Sequence, residues 1–454
     1  MRLISIPSRP LKIPSAIIIS NHGMLKPQNR DEINLHLHSH IPLLELRIRL
    51  IFELAVEGTS GGRKELINRR GTTSITAKLR KYLSSDDGTC KSRVEIFGYP
   101  CENHSVTTKD GYILSLQRIP RGRTGDSSKG NKGPVLLQHG LFMDGFAWLV
   151  NSPSQSLGYI LADHGYDVWI ANGRGTVYSL GHTSLSSSDS AYWDWSWDEL
   201  AAYDLPATID YVYQQAGHQK IHYVGHSQGT LTVLASISEQ NLVNRLRSAA
   251  LLCPIAYLNQ IPSLFMHAAA RIYLGEQLYW LGVAQLNPTG SVVNTFLKTV
   301  CLLTGFDCYD LLTIITGKNC CLNSSSVQLF LDHALQSTST KNIVHLSQTM
   351  RSTALTKYDY DDEAKNMAHY GQKTPPVYNM SRIPNDFPLF MSYGKEDLLA
   401  DVNDVAHLLE IIDHHNRNDL AVQLLGDYAH LDFIMAENAS QLVYKPLMDF
   451  FNRY

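Results

Sequence analysis

The stretch 223–230 places a serine between two glycines, where a buried strand is predicted to turn directly into a helix. The residues before this turn, 220–224, are β-branched and aromatic, which indicates a short buried strand. The residues after it, 231–237, are apolar and continue naturally as a helix. In such a turn the serine has strained backbone geometry and its hydroxyl stands clear of the chain, so Ser227 is a candidate nucleophile.

An ordinary tight turn is the alternative interpretation of Gly225 to Gly229, because serine and glycine are common in turns. The flanking strand and helix are the context that a nucleophile elbow requires, and they favour that interpretation. The start of the helix also places backbone N–H groups and the positive end of a helix dipole beside the reacting oxygen.

Charge and hydrophobic composition argue against a nucleic-acid-binding protein and against a membrane-spanning one. The chain has 454 residues and a formal net charge of −3, without the basic excess that nucleic-acid binding requires. No run of about eighteen uncharged apolar residues occurs, so we predict no membrane-spanning helix. Hydrophobic residues make up 44% of the chain, which is typical of a globular protein with a large core.

The seven cysteines include two pairs that are close enough in sequence for disulfides, Cys90 with Cys101 and Cys301 with Cys308. Free buried thiols are the alternative for each pair. No Cys-x-x-Cys pair occurs, which argues against a zinc site or a redox dithiol. Asn-x-Ser/Thr sequons favour the secretory pathway and begin at Asn103, Asn323, Asn379 and Asn438.

Residues 1–87 differ in character from the rest, and we expect them to form an extension outside the fold. Basic residues precede a short apolar patch at 13–19, which is too brief for a good signal peptide. The alternating His36, His38 and His40 lack evident partner ligands, so we assign them to a solvated tail rather than a metal site. The region is interpreted as partly disordered, or as a gene-model error that lost a true signal peptide.

From about residue 88 the chain alternates buried strands with helices, which predicts a mostly parallel sheet with helices on both faces. Helical apolar segments without clear strands interrupt this pattern at 255–384. We therefore expect an α/β core of residues 88–254 and 385–454, with 255–384 inserted as a mostly helical cap. Its apolar surface is a candidate wall for a substrate tunnel, although core packing accounts for most of it.

Short strands are predicted early in this core, at 96–99, 105–108 and 112–119, with a hairpin turn at 109–111. Three tryptophans follow later, at Trp193, Trp195 and Trp197. Ligand binding is one interpretation of such a cluster, but we assign it to packing where a helix begins.

Two polar residues follow later predicted strands and complete a constellation with Ser227. Asp397 comes directly after one strand, and His430 follows the last strand. Because the carboxyl ends of parallel strands meet at one edge of a sheet, we expect the three side chains to lie together. His430 then accepts the serine proton as general base, and Asp397 orients the imidazole. Asp401 is a competing acid, but it lies where a helix should begin.

A buried strand at 134–138 ends in His139, Gly140 and Leu141, where a second backbone donor can reach the reacting oxygen. A plain turn at the end of the strand is the alternative. Combined with the serine turn, this arrangement predicts that the backbone N–H groups of Leu141 and Gln228 bind the oxyanion that forms during acyl transfer.

Short sequences along this part of the chain are KDGYIL (109–114), HGL (139–141), ANGRGT (171–176), YDLPA (203–207), GHSQGT (225–230), DLLAD (397–401) and HLDF (430–433). Together they resemble the acid lipase family of α/β-hydrolases, which includes gastric and lysosomal acid lipases of animals and triacylglycerol lipases of plants. The resemblance extends from about residue 90 to the C-terminus. The cap sequence GKNCC (317–321) is most similar to that of the plant members.

The resemblance implies an α/β-hydrolase fold and a serine carboxylic-ester hydrolase that cleaves acyl esters of lipids, such as triacylglycerols, at a lipid–water interface. It implies a triad of Ser227, Asp397 and His430, with oxyanion donors at Leu141 and Gln228, and neither a metal nor a cofactor. No nucleic acid and no obligate protein partner is expected. The implied location is secreted, vacuolar or lysosomal, reached through the secretory pathway.

Other functions stay open on the sequence. A sterol-ester hydrolase would use the same site, and a lipid acyltransferase would pass the acyl group to an alcohol instead of water. A receptor on the same fold would bind its ligand without turnover. An acid pH optimum does not follow from these residues, because a histidine base is increasingly protonated as the pH falls.

Overall fold

The computed structural model describes residues 88–123, 132–288 and 311–454. The predicted N-terminal extension 1–87, with its alternating histidines, lies outside these ranges. The candidate pair of Cys301 and Cys308 also lies outside them.

A large sheet of short strands organises the described chain. The strands are β1 (Glu102–Thr107), β2 (Tyr112–Ile119), β3 (Pro134–Gln138), β4 (Asp167–Ala171), β5 (Gly181–His182), β6 (Ile221–His226), β7 (Leu246–Leu252), β8 (Gln285–Leu286), β9 (Thr338–Ser339), β10 (Leu389–Gly394) and β11 (Leu420–Leu425). The large sheet has the order β1-β2-β4-β3-β6-β7-β10-β11, with β5 beside β2, while β8 and β9 form a separate pair.

The sheet is parallel over most of its width. β3 pairs in parallel with β4 and β6, and the parallel pairing continues through β7, β10 and β11. Within the described part of this sheet, only the pairings of β2 with β1, β4 and β5 are antiparallel. Parallel neighbours need long crossover connections, which helices occupy here. The predicted α/β class with a mostly parallel sheet is therefore confirmed.

Helices fill the crossovers and the long stretch between β7 and β10. The described α-helices are Leu157–Asp163, Trp197–Glu199, Leu205–Gln215, Gln228–Ser238, Leu264–Arg271, Leu274–Trp280, Leu311–Thr316, Ser324–His333, Thr340–Arg351, Glu363–Tyr370, Val402–Ile411, Asp432–Met435 and Lys445–Phe451. The helix that follows Ser227 is buried along its whole length, because it packs against β6 and neighbouring turns. None of the helices in the described ranges is long and apolar enough to cross a membrane.

Two predictions of local structure are wrong. Residues 96–99 do not form a strand but lie in a 3₁₀ turn, Glu95–Phe97, and the residues that follow it. Arg93 donates hydrogen bonds of 2.5 to 2.9 Å to the carbonyl oxygens of residues 149–151, and this tertiary anchor overrides local strand propensity. The stretch predicted to lack clear strands contains the short antiparallel pair β8 and β9.

The three tryptophans pack in the interior, as predicted. Trp193, Trp195 and Trp197 are each at most 3% exposed. The ring of Trp197 stacks on the imidazole of His345 with the centroids 4.2 Å apart. Gly175 lies so close to Trp193 that an added Cβ would come within 2.7 Å of its ring. This cluster therefore packs the loop after β4 against the start of the helix Trp197–Glu199.

A buried cation ties the first hairpin to that same loop. The Arg174 guanidinium donates to the carboxylates of Asp110 at 2.7 Å and Asp204 at 2.8 Å. It also lies over the Tyr112 ring, 3.7 Å from the centroid. Because the Arg174 side chain is fully buried, its two carboxylate partners compensate its desolvation, and losing both would leave an unpaired buried charge.

The cysteines of the described ranges form two disulfides. Cys90 bonds to Cys101, as the sequence spacing allowed. Cys320 bonds to its direct neighbour Cys321, a pairing that the sequence did not predict. Cys253 is a free and buried thiol. Burial raises the pKa of this thiol well above its usual value, so it stays protonated at neutral pH.

Asp144 gives the fold a specific pH dependence. One of its oxygens accepts the Phe146 N–H at 2.9 Å, while the other has no hydrogen-bond partner in the described ranges. Burial raises the pKa of this carboxyl to about 8, although hydrogen bonds from backbone N–H groups act to lower it. The folded state thus keeps the proton to higher pH than the unfolded chain, so this group costs stability as the pH rises from about 4 to about 8.

Replacing Asp144 with Asn keeps the hydrogen-bond acceptor and removes the ionisation. We expect Asp144→Asn to raise the melting temperature relative to the unmodified protein by about 2–4 °C at pH 8.5, with the difference shrinking towards pH 5. Thermal unfolding at the two pH values measures this. A difference of the same size at both would show that Asp144 does not titrate as proposed.

Candidate active site

Ser227 lies at the end of β6, between that strand and the helix Gln228–Ser238. Its backbone has φ 54° and ψ −121°, a conformation that costs energy for a residue with a side chain. The Ser227 N–H donates to the carbonyl of Leu252 at 3.1 Å, which anchors the turn to the end of β7. The residue is 8% exposed. The chain therefore holds a strained, nearly buried serine at the carboxyl edge of the sheet.

The glycines around this serine are required by close backbone approach. A Cβ on Gly225 would lie 2.8 Å from the carbonyl carbon and oxygen of Gly229. A Cβ on Gly229 would lie 2.7 Å from the carbonyl oxygen of Gln138, at the end of β3. Gly140 is equally tight, since its Cβ would come within 2.9 Å of the Ser227 Cβ. The serine turn and the β3 end thus pack backbone against backbone.

Asp397 and His430 form a buried hydrogen-bonded contact at the same edge. The Asp397 Oδ2 lies 2.9 Å from the Nδ1 of His430, and the residues are each 2% exposed. Burial acts to raise the pKa of Asp397, but the nearby imidazole and the N–H groups of Leu399 and Ala400 hold it below its usual value. Asp397 is therefore ionised and can orient the His430 ring with its Nδ1 protonated.

Asp401, the competing acid, points elsewhere. Its Oδ1 accepts the Asn403 N–H at 2.8 Å, and it caps the helix Val402–Ile411. This is the placement expected for an aspartate at the start of a helix. Among the described residues, it is Asp397 and not Asp401 that contacts the His430 ring.

The His430 loop is fixed beside the serine turn by two groups that the sequence did not single out. His226 Nε2 lies 2.9 Å from the carbonyl oxygen of His430, and the Cys253 thiol lies 3.4 Å from the same oxygen. Burial lowers the pKa of His226 to about 3, so its ring is neutral and donates through Nε2. No hydrogen bond joins Ser227 to the His430 ring within the described ranges; such bonds often tighten only when substrate binds.

The backbone N–H groups of Leu141 and Gln228 have no acceptor among the described residues. Gln228 begins the helix after Ser227, so its N–H also lies at the positive end of the helix dipole. Its side chain turns away and donates to Asn342 at 2.9 Å. Two unused donors flanking a serine are the arrangement that stabilises a developing oxyanion.

His139 fixes the orientation of one of these donors. Its Nε2 accepts the Gly173 N–H at 2.9 Å, so its Nδ1 carries the proton and donates to the Gly140 carbonyl at 2.8 Å. Burial lowers the pKa of His139 to about 4, which keeps the ring neutral. Because the peptide is planar and trans, holding the Gly140 carbonyl on one side directs the Leu141 N–H to the other.

A cavity of about 40 Å³ is lined among others by His139, Gly140 and Gln228. Ser227 does not line it. The cavity therefore lies against the end of β3 and the start of the helix after Ser227.

Two clusters of the described residues bring metal-ligating atoms together. His226, Cys253 and His430 form one, and Cys320, Cys321 and Asp432 form the other. In the first, the His430 Nδ1 is already bound to Asp397, and the other two groups contact the His430 carbonyl. In the second, both sulfurs are in the disulfide. In both clusters, groups that could bind a metal are thus already engaged in contacts within the protein.

Tight packing around Gly229 in the serine turn predicts that a larger residue there lowers the stability of the protein, whereas one at the distant Gly426 does not. We expect Gly229→Ala to destabilise the protein by about 1–3 kcal/mol or more, because the new methyl meets two backbone carbonyls that cannot move freely. Gly426 has open space around it, so Gly426→Ala should change the stability by less than about 0.5 kcal/mol. Chemical denaturation of both variants measures this. Equal stabilities would show that the close approach is not a constraint.

Comparison with known proteins places the chain in a family. A family model described as a partial alpha/beta-hydrolase lipase region matches residues 90–152, and one described as the alpha/beta hydrolase fold matches residues 133–435. Triacylglycerol lipase 2 of Arabidopsis thaliana is 47% identical over 90% of this chain and 96% of its own length. Triacylglycerol lipase 1 of the same species is 42% identical over 80% and 90%.

An animal protein shows the same similarity at lower identity. Gastric triacylglycerol lipase of Bos taurus is 35% identical over 78% of this chain and 89% of its own length. The resemblance predicted from the short motifs is confirmed by these matches, and the mostly parallel sheet agrees with the fold of the matched family. The chain belongs to the lipase family of the α/β hydrolases.

Proposed function

We propose that this carboxylic-ester hydrolase cleaves acyl esters of lipids, with triacylglycerols as the substrate class, and that Ser227, His430 and Asp397 are its triad. The observation that carries the proposal is the buried Asp397–His430 pair, 2.9 Å apart, at the sheet edge that also holds the strained Ser227. Related proteins named triacylglycerol lipases, 47% and 42% identical to this chain, support the substrate class.

The first half of the reaction makes an acyl-enzyme. His430 Nε2 takes the hydroxyl proton as Ser227 Oγ attacks the ester carbonyl, and a tetrahedral oxyanion forms. Asp397 keeps the proton on Nδ1 and stabilises the imidazolium that results. His430 then gives the proton to the leaving alcohol, so that the carbon–oxygen bond of the ester breaks and the acyl group stays on Ser227.

The second half repeats these roles with water. His430 deprotonates a water molecule that attacks the acyl carbon, and the returned proton releases Ser227. In both halves the N–H groups of Leu141 and Gln228 would bind the oxyanion. Losing one such donor typically lowers the rate by about 10²–10³-fold. His139 contributes without touching the substrate, because it fixes the peptide that ends in the Leu141 N–H.

The insertion between β7 and β10 is the part of the chain that we assign to substrate selection. We place the core at 88–254 and 385–454 and the cap at 255–384. The hydrogen bond from Gln228 Nε2 to Asn342 Oδ1 joins the two beside the serine, which supports this division. A cap over the site is suited to a substrate taken from a lipid–water interface, since closing it excludes water from the reaction.

We infer a secretory route for the protein. The Cys90–Cys101 disulfide is stable in oxidising compartments, and the Bos taurus relative is named a gastric lipase. Asn103 and Asn379 are exposed and open to glycosylation. Asn438 is less suited, because it is only partly exposed.

The triad assignment predicts opposite outcomes for two aspartates of one loop. We expect Ser227→Ala to abolish hydrolysis of p-nitrophenyl butyrate, and Asp397→Asn to lower kcat by about 10³–10⁴-fold because the imidazole loses its correct tautomer. Asp401→Asn should leave kcat within about twofold, since asparagine caps a helix as well as aspartate does. Steady-state kinetics measures all three.

Circular dichroism and thermal unfolding control for the fold of each variant. Retained activity in folded Ser227→Ala would contradict the proposed nucleophile. A large loss in Asp401→Asn with little loss in Asp397→Asn would reverse the assignment of the acid.

A further inference from the structure

The segment 316–322, which follows the helix Leu311–Thr316, runs along the loops that carry the proposed acid and base. Gly317 forms an antiparallel bridge with Asp397, and the His430 N–H donates to the Thr316 carbonyl at 3.1 Å. The next N–H along, of Leu431, donates to Asn319 Oδ1 at 3.0 Å. A part of the proposed cap is therefore bonded to both catalytic loops.

Asp432 is the centre of this contact. It lies two residues after His430, and its side chain is completely buried. Its carboxylate accepts the N–H of Ala429, the residue before His430, at 2.8 Å. It also accepts the N–H groups of Cys320 and Cys321 at 3.1 and 3.2 Å. None of the cationic side chains in the described ranges pairs with it. Asp432 thus clamps the turn around His430 to segment 316–322 through backbone donors alone.

The bonded cysteines give these donors their direction. Successive N–H groups of an extended strand point to opposite sides, so two neighbours can meet one carboxylate only where the backbone curls. The Cys320–Cys321 disulfide closes a small ring that contains the peptide between the two residues, and this restricts their backbone torsions. The disulfide therefore restricts the backbone at the curl where both N–H groups meet Asp432.

We propose that Asp432, held by the bonded Cys320–Cys321 pair, is a positioning residue that keeps His430 aligned between Asp397 and Ser227. The proposal rests on the proposed function, because it assigns His430 as the base. It makes the activity sensitive to the disulfide. A dithiol reductant attacks the exposed Cys320 sulfur, both cysteines become thiols, and the reductant leaves as its own disulfide. No atom of the triad changes in this step.

A matched pair of variants tests the role of Asp432. Asp198 is also a buried carboxylate, accepting the Tyr358 N–H and the Tyr378 hydroxyl at 2.7 Å each, but it touches neither catalytic loop among the described contacts. We expect Asp432→Asn to lower kcat by about 10–100-fold with KM within about threefold, as for a base displaced by up to an ångström. Asp198→Asn should leave kcat within about twofold at a temperature where both are folded. Equal kcat values would overturn the proposal.

The disulfide is tested separately, in case Asp432→Asn fails to fold. The double variant Cys320→Ser/Cys321→Ser should have a kcat lowered by about 3–30-fold, since it keeps Asp432 but loses the ring that aligns its donors. Dithiothreitol should lower the kcat of the unmodified protein and leave that of the double variant unchanged. Both proteins keep the Cys90–Cys101 disulfide, so a difference between their responses to the reductant reports on the Cys320–Cys321 disulfide. Equal responses of the two proteins to the reductant would contradict the proposal.

A readout without substrate separates this proposal from the proposed function. The downfield proton resonance of His430 Nδ1 reports its bond to Asp397 and is assigned by its loss in Asp397→Asn. We expect it to shift or broaden in Asp432→Asn and to stay in place in Asp198→Asn. If the unmodified protein hydrolyses no ester, the proposed function fails while this resonance still decides the positioning role. An unchanged resonance in Asp432→Asn would refute that role.

Discussion

The close approach of the serine turn to the end of β3 is the constraint on which the site depends. Gly229 lies against the carbonyls of Gln138 and His139, and Gly140 lies against the Ser227 side chain. Ser227 has its strained conformation at this contact, and the N–H groups of Leu141 and Gln228, the proposed oxyanion donors, belong to the two segments that meet there. The fully buried strand β6 and the buried helix after Ser227 supply the packing that compensates this local cost.

Buried histidines surround the site without taking part in proton transfer. His139 and His226 have pKa values lowered by burial to about 4 and about 3, so both are neutral and act as fixed hydrogen-bond donors to backbone carbonyls. One orients the peptide that carries the Leu141 N–H, and the other holds the His430 loop. Segment 316–322 extends this support from the side of the proposed cap, so the loop of the proposed base is bonded to both the proposed core and the proposed cap.

The order of strands and polar residues was enough to predict the parallel sheet and to place Asp397 and His430 at its carboxyl edge. Each residue follows a buried strand, and parallel pairing brings those strand ends together whatever lies between them. Contacts across the insertion could not be predicted in this way. Asp432 and Cys320 are 112 residues apart, and nothing local marks them as partners. The turn at 95–97 was missed for a similar reason, because distant carbonyls bonded to Arg93 override its local pattern.

We assign Ser227 as the nucleophile, and covalent trapping identifies the residue that attacks the substrate. A p-nitrophenyl alkylphosphonate resembles the tetrahedral intermediate and stays on the serine that attacks it. After incubation with the full chain and digestion with trypsin, mass spectrometry should find one equivalent of phosphonate on the peptide 221–245, at Ser227 and not at Ser236 or Ser238. An adduct on another residue, or no adduct in a folded protein that hydrolyses esters, would contradict the account.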